Sequence, residues 1–174
     1  MSLKTKKFLF YVVPLLLWMV NIFLASTDMG SEKHSGNLIR LALNLIDPGT
    51  GDRITHDTLE KLNMILRKGA HLTEYAILAL LLVRAIQYGR HKLKWQSIVG
   101  AAALSLLYSI SDELHQIFVP SRTSSARDVL IDNIGVTITL TVIILFFKIK
   151  HLERHILEIP EGRTQLNTET SIIT

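Results

Sequence analysis

No cysteine occurs in the 174 residues, which excludes a disulfide, a thiol nucleophile and a thiolate metal site and leaves the redox compartment unmarked. Proline is nearly as scarce, and three of its four occurrences, Pro48, Pro120 and Pro160, fall in polar stretches that read as turns or tail. The fourth, Pro14, interrupts an apolar run. There it removes a backbone donor and is expected to kink a helix that a membrane still tolerates. There is no internal repeat. The excess of base over acid is small, 19 Lys and Arg against 15 Asp and Glu, and is better read by side of a membrane than as a nucleic-acid footprint.

What the chain has in abundance is apolar sequence: 48% of it is hydrophobic and the mean hydropathy is +0.31. That composition predicts one membrane domain over residues 1–150, followed by a polar cytoplasmic tail over 151–174. Four apolar runs cover 8–25, 69–88, 95–110 and 129–147. A helix needs roughly 20 largely apolar residues to cross a hydrocarbon core of about 30 Å, so the third run qualifies once it continues past Ile110. Lipid satisfies no backbone group, so the runs are helices and the predicted fold is an all-α bundle of four transmembrane helices. Lys4, Lys6 and Lys7 before the first run also resemble a signal peptide, with a weak cleavage site at Leu24-Ala25-Ser26. The length of that run and the three spans after it favour a retained anchor.

Short segments rich in Lys and Arg tend to stay in the cytoplasm. Lys4, Lys6 and Lys7 precede the first span, Arg90, Lys92 and Lys94 separate the second and third, and Lys148, Lys150 and Arg154 follow the fourth. Both termini are therefore expected on the cytoplasmic side. Residues 26–68 and 111–128 are left outside with most of the acids, among them Asp28, Glu32, Asp47, Asp52, Asp57 and Glu60. Tyr11, Tyr88 and Trp95 lie near span ends and suit the interface, whereas Trp18 is deep enough to be a packing residue.

The first outer segment is long for a structureless loop. Leu38, Leu41, Ala42, Leu45 and Ile46 follow helical spacing, and Asp47-Pro48-Gly49-Thr50-Gly51 then turns the chain. A short extracytoplasmic helix, lying on the leaflet or capping the bundle, is expected between spans one and two. Thr55 or Asp57 can cap a further helix bearing Leu59, Leu62, Ile65 and Leu66, which runs on into span two. Asn21 in the first span is expected to hydrogen-bond across helices, and Gly135 in the fourth to admit a neighbour closely.

Charge gathers where spans two and three meet the outer side. Ionisable groups in or beside a span are costly and mark a functional site by default. His71, Glu74 and Tyr75 share one helical face by their spacing, and Asp112, His115 and Gln116 repeat it beside Glu113. Such carboxylate and imidazole pairs on facing helices can bind a metal, or can serve as general acid and base with a His relaying protons. They can equally be a neutralising network, His71 with Asp112 or Glu113 and Glu74 with Lys68 or Arg122. Spacing leaves the three readings open and identifies no cofactor.

After Pro120, the turn Ser121-Arg122-Thr123-Ser124-Ser125-Ala126-Arg127-Asp128 leads into span four, with Ser124 or Ser125 as helix cap. A helix start with hydroxyls and two arginines is an anion site suited to phosphate, unless Arg122 and Arg127 only neutralise the nearby acids. Asp132, one turn past Asp128, is expected to face other helices.

The blocks Arg67-Lys68-Gly69-Ala70-His71-Leu72-Thr73-Glu74-Tyr75, Ser111-Asp112-Glu113-Leu114-His115-Gln116 through Arg122, and Asp128-Val129-Leu130-Ile131-Asp132-Asn133-Ile134-Gly135 resemble, in order and spacing, the three motif blocks of VanZ-like membrane proteins. The resemblance covers about residues 11–147. It departs at Ser121, where a glycine is common, and at Thr139, where a second small glycine is frequent. It implies a bacterial multi-pass protein of the cell membrane, from a family named for a member associated with resistance to the glycopeptide teicoplanin. By matching position, Lys68, His71, Glu74, Asp112, Glu113, Gln116, Arg122 and Asp128 are the polar motif residues.

These readings combine into an expected outward-facing pocket. Arg122, Lys68 and Arg127 hold an anion, Glu113, His71, Glu74 and Asp112 are the candidates for proton transfer, and Tyr75, His115, Gln116, Asp128 and Asp132 complete the walls. The expected partners are membrane lipids, a lipid-linked envelope intermediate or the lipid tail of a glycopeptide, and not nucleic acid. An acid-base hydrolase or transferase acting on an envelope lipid, and a purely structural or partner-binding protein, are the rival readings.

Overall fold

The computed structural model describes residues 2–27, 32–90, 92–119 and 125–157. Arg122 with most of its turn, the loop before Glu32 and the tail beyond Leu157 lie outside the described residues. The described residues are helical and contain no strand. The helices are α1 Leu3–Tyr11, α2 Val13–Ser26, α3 Glu32–Ile46, α4 Thr50–Arg53, α5 His56–Gln87, α6 Trp95–Gln116 and α7 Ala126–Leu157. The chain divides into two compact units, Met1–Thr141 and Val142–Thr174. In the second, the Lys150 ammonium lies 5.0 Å from the centre of the Phe146 ring.

Four helical stretches are long and apolar enough to cross a membrane: Leu3–Ser26, His56–Gln87, Trp95–Gln116 and Ala126–Glu153. The first is interrupted at Val12, two residues before Pro14. Pro14 has no N–H to offer the carbonyl four residues back, that of Phe10. The Arg84 guanidinium of α5 donates to that carbonyl at 2.9 Å and lies 4.2 Å from the centre of the Phe10 ring. The carbonyl that Pro14 leaves without its helical donor is thus met by a cation from another helix.

The bundle is inverted relative to a water-soluble one. Its outer faces carry large apolar side chains such as Leu17, Phe23, Leu107 and Leu130, while Ser26, Ser97, Ser105, Ser109, Gln116 and Asp132 are buried. Lipid accepts the first set, and interhelical hydrogen bonds accommodate the second. On α6 the buried positions Ser97, Ala101, Ser105 and Ser109 recur every four residues. Small side chains on one face let α6 lie close to α5, the helix it packs against most extensively. The Trp18 indole donates to the Glu74 carbonyl at 2.9 Å and the Tyr108 hydroxyl to the Met19 carbonyl at 2.6 Å, tying α2 to α5 and α6. Asn21, expected to bridge helices, is exposed instead, because its position falls on the outer face of α2 beside Val20.

Thr55 caps α5 by accepting the Thr58 N–H, and the helix then runs unbroken for 32 residues. That is about 48 Å, some 18 Å more than a hydrocarbon core of about 30 Å needs, so the polar stretch 56–68 stands clear of the apolar layer. Helix α3 packs on this extension with Ile39 buried, and turns Leu38, Leu41, Leu45 and Ile46 away from it. The turn after α3 contains one helical turn that the sequence did not announce, α4. Gly51 there lies against the Arg40 carbonyl and donates its N–H to Asn44 Oδ1 at 2.7 Å, a closeness a side chain would prevent.

Candidate functional site

Helices α5 and α7 meet at Gly135, whose missing side chain leaves room for the Leu72 carbonyl oxygen. The contact sets the neighbouring turns face to face. Lys68 Nζ lies 3.9 Å from Asp128 Oδ1, and His71 Nδ1 lies 3.7 Å from Asp132 Oδ1 and 3.9 Å from Glu74 Oε2. Asp132 is 1% exposed, and its second oxygen accepts the Ser109 hydroxyl of α6 at 2.8 Å. One carboxylate thus joins three helices.

The acids at the end of α6 point in different directions. Asp112 Oδ2 accepts the Ser26 hydroxyl at 2.8 Å and the Gln116 amide at 3.2 Å, closing α6 onto the end of α2. Glu113, one residue on, turns toward α7 and accepts the backbone N–H of Ser125 at 3.0 Å. Ser125 caps the same helix start, its hydroxyl accepting the Arg127 N–H at 3.2 Å. A carboxylate at this position satisfies an otherwise orphaned donor and sits at the positive end of the helix dipole.

Between α5, α6 and the start of α7 lies a cavity of about 450 Å³. Arg67, Lys68 and His71 contribute from α5, Glu113 and Gln116 from α6, and Ser125, Arg127, Asp128, Ile131 and Asp132 from the α7 side. Glu60, Asn63 and Met64 extend the wall along the projecting part of α5. Three lasting cations, Arg67, Lys68 and Arg127, line the cavity together with four carboxylates, Glu60, Glu113, Asp128 and Asp132. Arg127 has no ion-pair partner among the described residues, and Lys68 is held only loosely at 3.9 Å. Among the described residues no three His, Asp or Glu side chains converge as a metal site.

The model of the family described as VanZ/LLP1 matches residues 8–147. The chain belongs to the VanZ/LLP1 family. The match spans the four candidate membrane helices nearly end to end. No curated protein and no solved structure matches the chain.

Of the candidate residues of this VanZ/LLP1 protein, Lys68, His71, Glu113, Gln116, Arg127, Asp128 and Asp132 line the cavity together. Glu74, Tyr75, Asp112 and His115 do not line it. Tyr75 is fully buried with its ring 6.3 Å from that of Tyr108, and the His115 ring lies 4.6 Å from that of Phe23. Arg122 lies outside the described residues. His71 meets Asp132 and Glu74, where spacing had offered Asp112 or Glu113, because the Gly135 contact turns the His71 face of α5 toward α7. Sequence reasoning missed Glu60, Asn63, Met64 and Arg67. The signal was present: positions 60, 63, 64, 67 and 71 form one helical stripe, opposite the Leu59, Leu62, Ile65 and Leu66 positions that drew attention.

Proposed function

We propose that this VanZ/LLP1 protein lies in the bacterial cell membrane with both termini in the cytoplasm, and that its cavity opens outward to bind the anionic, phosphate-bearing head of an envelope lipid. The observation that carries this reading is the convergence of Arg67, Lys68 and Arg127 with the α7 N-terminus in one cavity. Oriented N–H groups and cations are what a phosphate needs, and both kinds are present. The carboxylate now opposing Lys68 gives way cheaply. The Lys68–Asp128 pair is 46% and 27% exposed, and a pair of that kind is worth about 0–1 kcal/mol. A phosphate reaching Lys68 therefore gives up little. Arg122, two residues after Pro120 in the sequence, supplies a further cation in this reading. Teicoplanin-type resistance would follow from altering the lipid surface, or from keeping a drug's lipid tail from anchoring.

Acid-base chemistry on the same lipid is the second reading, favoured by His71 on the cavity wall with carboxylates at 3.7 and 3.9 Å. Glu113 serves it less well as a base, because it already accepts the Ser125 N–H.

Native mass spectrometry of the detergent-extracted protein tests the binding reading. A phosphate-bearing lipid is expected to travel with the wild type and to be lost from a folded Lys68→Ala, Arg127→Ala double variant. Equal lipid on both would refute it, and a stoichiometric metal mass would redirect the account to metal chemistry.

A further inference from the structure

A second cleft of about 500 Å³ opens between α3 and α5 and shares the lining residues Glu60 and Asn63 with the first, so the two adjoin along the projecting part of α5. Asn63 stands five residues before Lys68 and Glu60 eight, which places the second cleft about 8–12 Å farther from the apolar layer. A head that put its phosphate at Lys68 would reach this cleft only if it continued outward.

The lining decides what that continuation is. Asn37 and Asn63 each offer an amide donor and acceptor, and Arg40 a planar fork of donors. Arg40 forms no ion pair among the described residues, while Glu60 lies 3.5 Å from His56 at the rim. Arg40 is a single cation against the three of the first cavity, and an acyl chain would bring the amides and guanidinium of this wall no hydrogen-bonding group. Hydroxyls suit both donors and acceptors. The floor is apolar: Leu59 lies against the bare backbone of Gly36, where an added Cβ would stand 3.7 Å from Leu59 Cδ2. An apolar side chain beside amides, a guanidinium and a carboxylate suits a ring that has C–H faces and a hydroxyl edge.

We infer that the α3–α5 cleft is a second subsite that takes a hydroxyl-rich ring, a sugar or cyclic polyol, carried on the far side of the lipid phosphate; this rests on the anion reading of the first cavity. Asn37 and Arg40 of α3 are its specificity-determining residues, and α3 is the wall that completes it.

The test is competition between phosphatidic acid and phosphatidylinositol of identical acyl chains, offered in equal amounts to the detergent-solubilised full chain and read by native mass spectrometry. Phosphatidylcholine, whose zwitterionic head has no net charge, serves as the reference. Wild type is expected to retain phosphatidylinositol over phosphatidic acid by about fivefold, the gain from one or two added hydrogen bonds. Asn37→Ala with Arg40→Ala brings the ratio to about one. Asn37 is exposed and Arg40 half-buried, so the double exchange leaves the core intact, and Arg40→Gln alone provides a milder variant that lowers the ratio part-way. A wild-type ratio near one, with both acidic lipids retained above phosphatidylcholine, would overturn the subsite and leave the anion site standing. A high ratio that the variants fail to move would overturn it too. Retention of neither acidic lipid above phosphatidylcholine would remove the anion reading, and the subsite with it.

Discussion

The Glu113 carboxylate, at the end of α6, accepts the backbone N–H of Ser125 at 3.0 Å, so one helix caps the start of the next. This bond makes Glu113 both a wall of the cavity and the anion now seated at the α7 N-terminus. A cap of this kind is worth about 0.5–2 kcal/mol, with a charged acceptor toward the upper end. Glu113→Gln keeps an oxygen that can accept the Ser125 N–H, and Glu113→Ala does not. Thermal midpoints in detergent should therefore fall in the order wild type, Glu113→Gln, Glu113→Ala.

Asp132 is the junction of three helices, and Ser109 supplies its one hydrogen bond among the described residues. Interhelical hydrogen bonds in membrane proteins average about 0.6 kcal/mol and reach about 1.7. Burial puts this one toward the high end. A double-mutant cycle of Ser109→Ala and Asp132→Ala, followed by reversible unfolding, should show a coupling of about 1–1.7 kcal/mol.

Gly135 and Gly69 both lie on helices near the site and should respond oppositely to alanine. An added Cβ at Gly135 overlaps the Leu72 carbonyl, whereas at Gly69 nothing lies within 4 Å. Gly135→Ala should cost about 1–3 kcal/mol as overpacking, and should loosen the Lys68–Asp128 and His71–Asp132 approaches with it. Gly69→Ala should stabilise by up to about 1 kcal/mol through helix propensity. Detergent unfolding curves of the two variants provide the comparison.

Arg84 donates to the Phe10 carbonyl because Pro14 has left it without a helical partner. Arg84→Ala should cost about 1 kcal/mol in the wild-type background. In a Pro14→Ala background, where residue 14 regains an N–H for Phe10, the same change should cost less. Equal cost in both backgrounds would show that Arg84 acts through the Phe10 ring alone.

The membrane architecture was legible because lipid enforces it: a run such as 129–147 has no alternative to a helix, and of the two offered caps, Thr55 and Asp57, Thr55 is the one that begins α5. The polar partners were less legible. Spacing shows that His71 and Glu74 share a face, and that Asp112 and His115 do, but it does not say which neighbouring helix each face meets. That depends on the rotation of the helices, fixed by the Gly135–Leu72 approach and by the bonds of Trp18 and Tyr108 to backbone carbonyls. Asp112 and Glu113 are adjacent in sequence and about 100° apart on a helix, so one faces α2 and the other α7. The cavity wall at Glu60, Asn63 and Arg67 is harder to read, because polar residues opposite the apolar positions Leu59, Leu62, Ile65 and Leu66 suit plain solvent exposure equally well. The four-residue recurrence of Ser97, Ala101, Ser105 and Ser109 escaped because small residues stand out less than charged ones.

In the binding reading, the α5–α7 cavity holds a phosphate head through Lys68 and Arg127. It is tested most directly by calorimetric titration of the purified protein with soluble dihexanoyl phosphatidic acid, alongside dihexanoyl phosphatidylcholine. Saturable binding of the acid with one molecule per chain is expected, with an affinity at least about tenfold lower in the folded Lys68→Ala, Arg127→Ala variant. Equal affinity in both proteins, or equal affinity of the wild type for the two lipids, would contradict it.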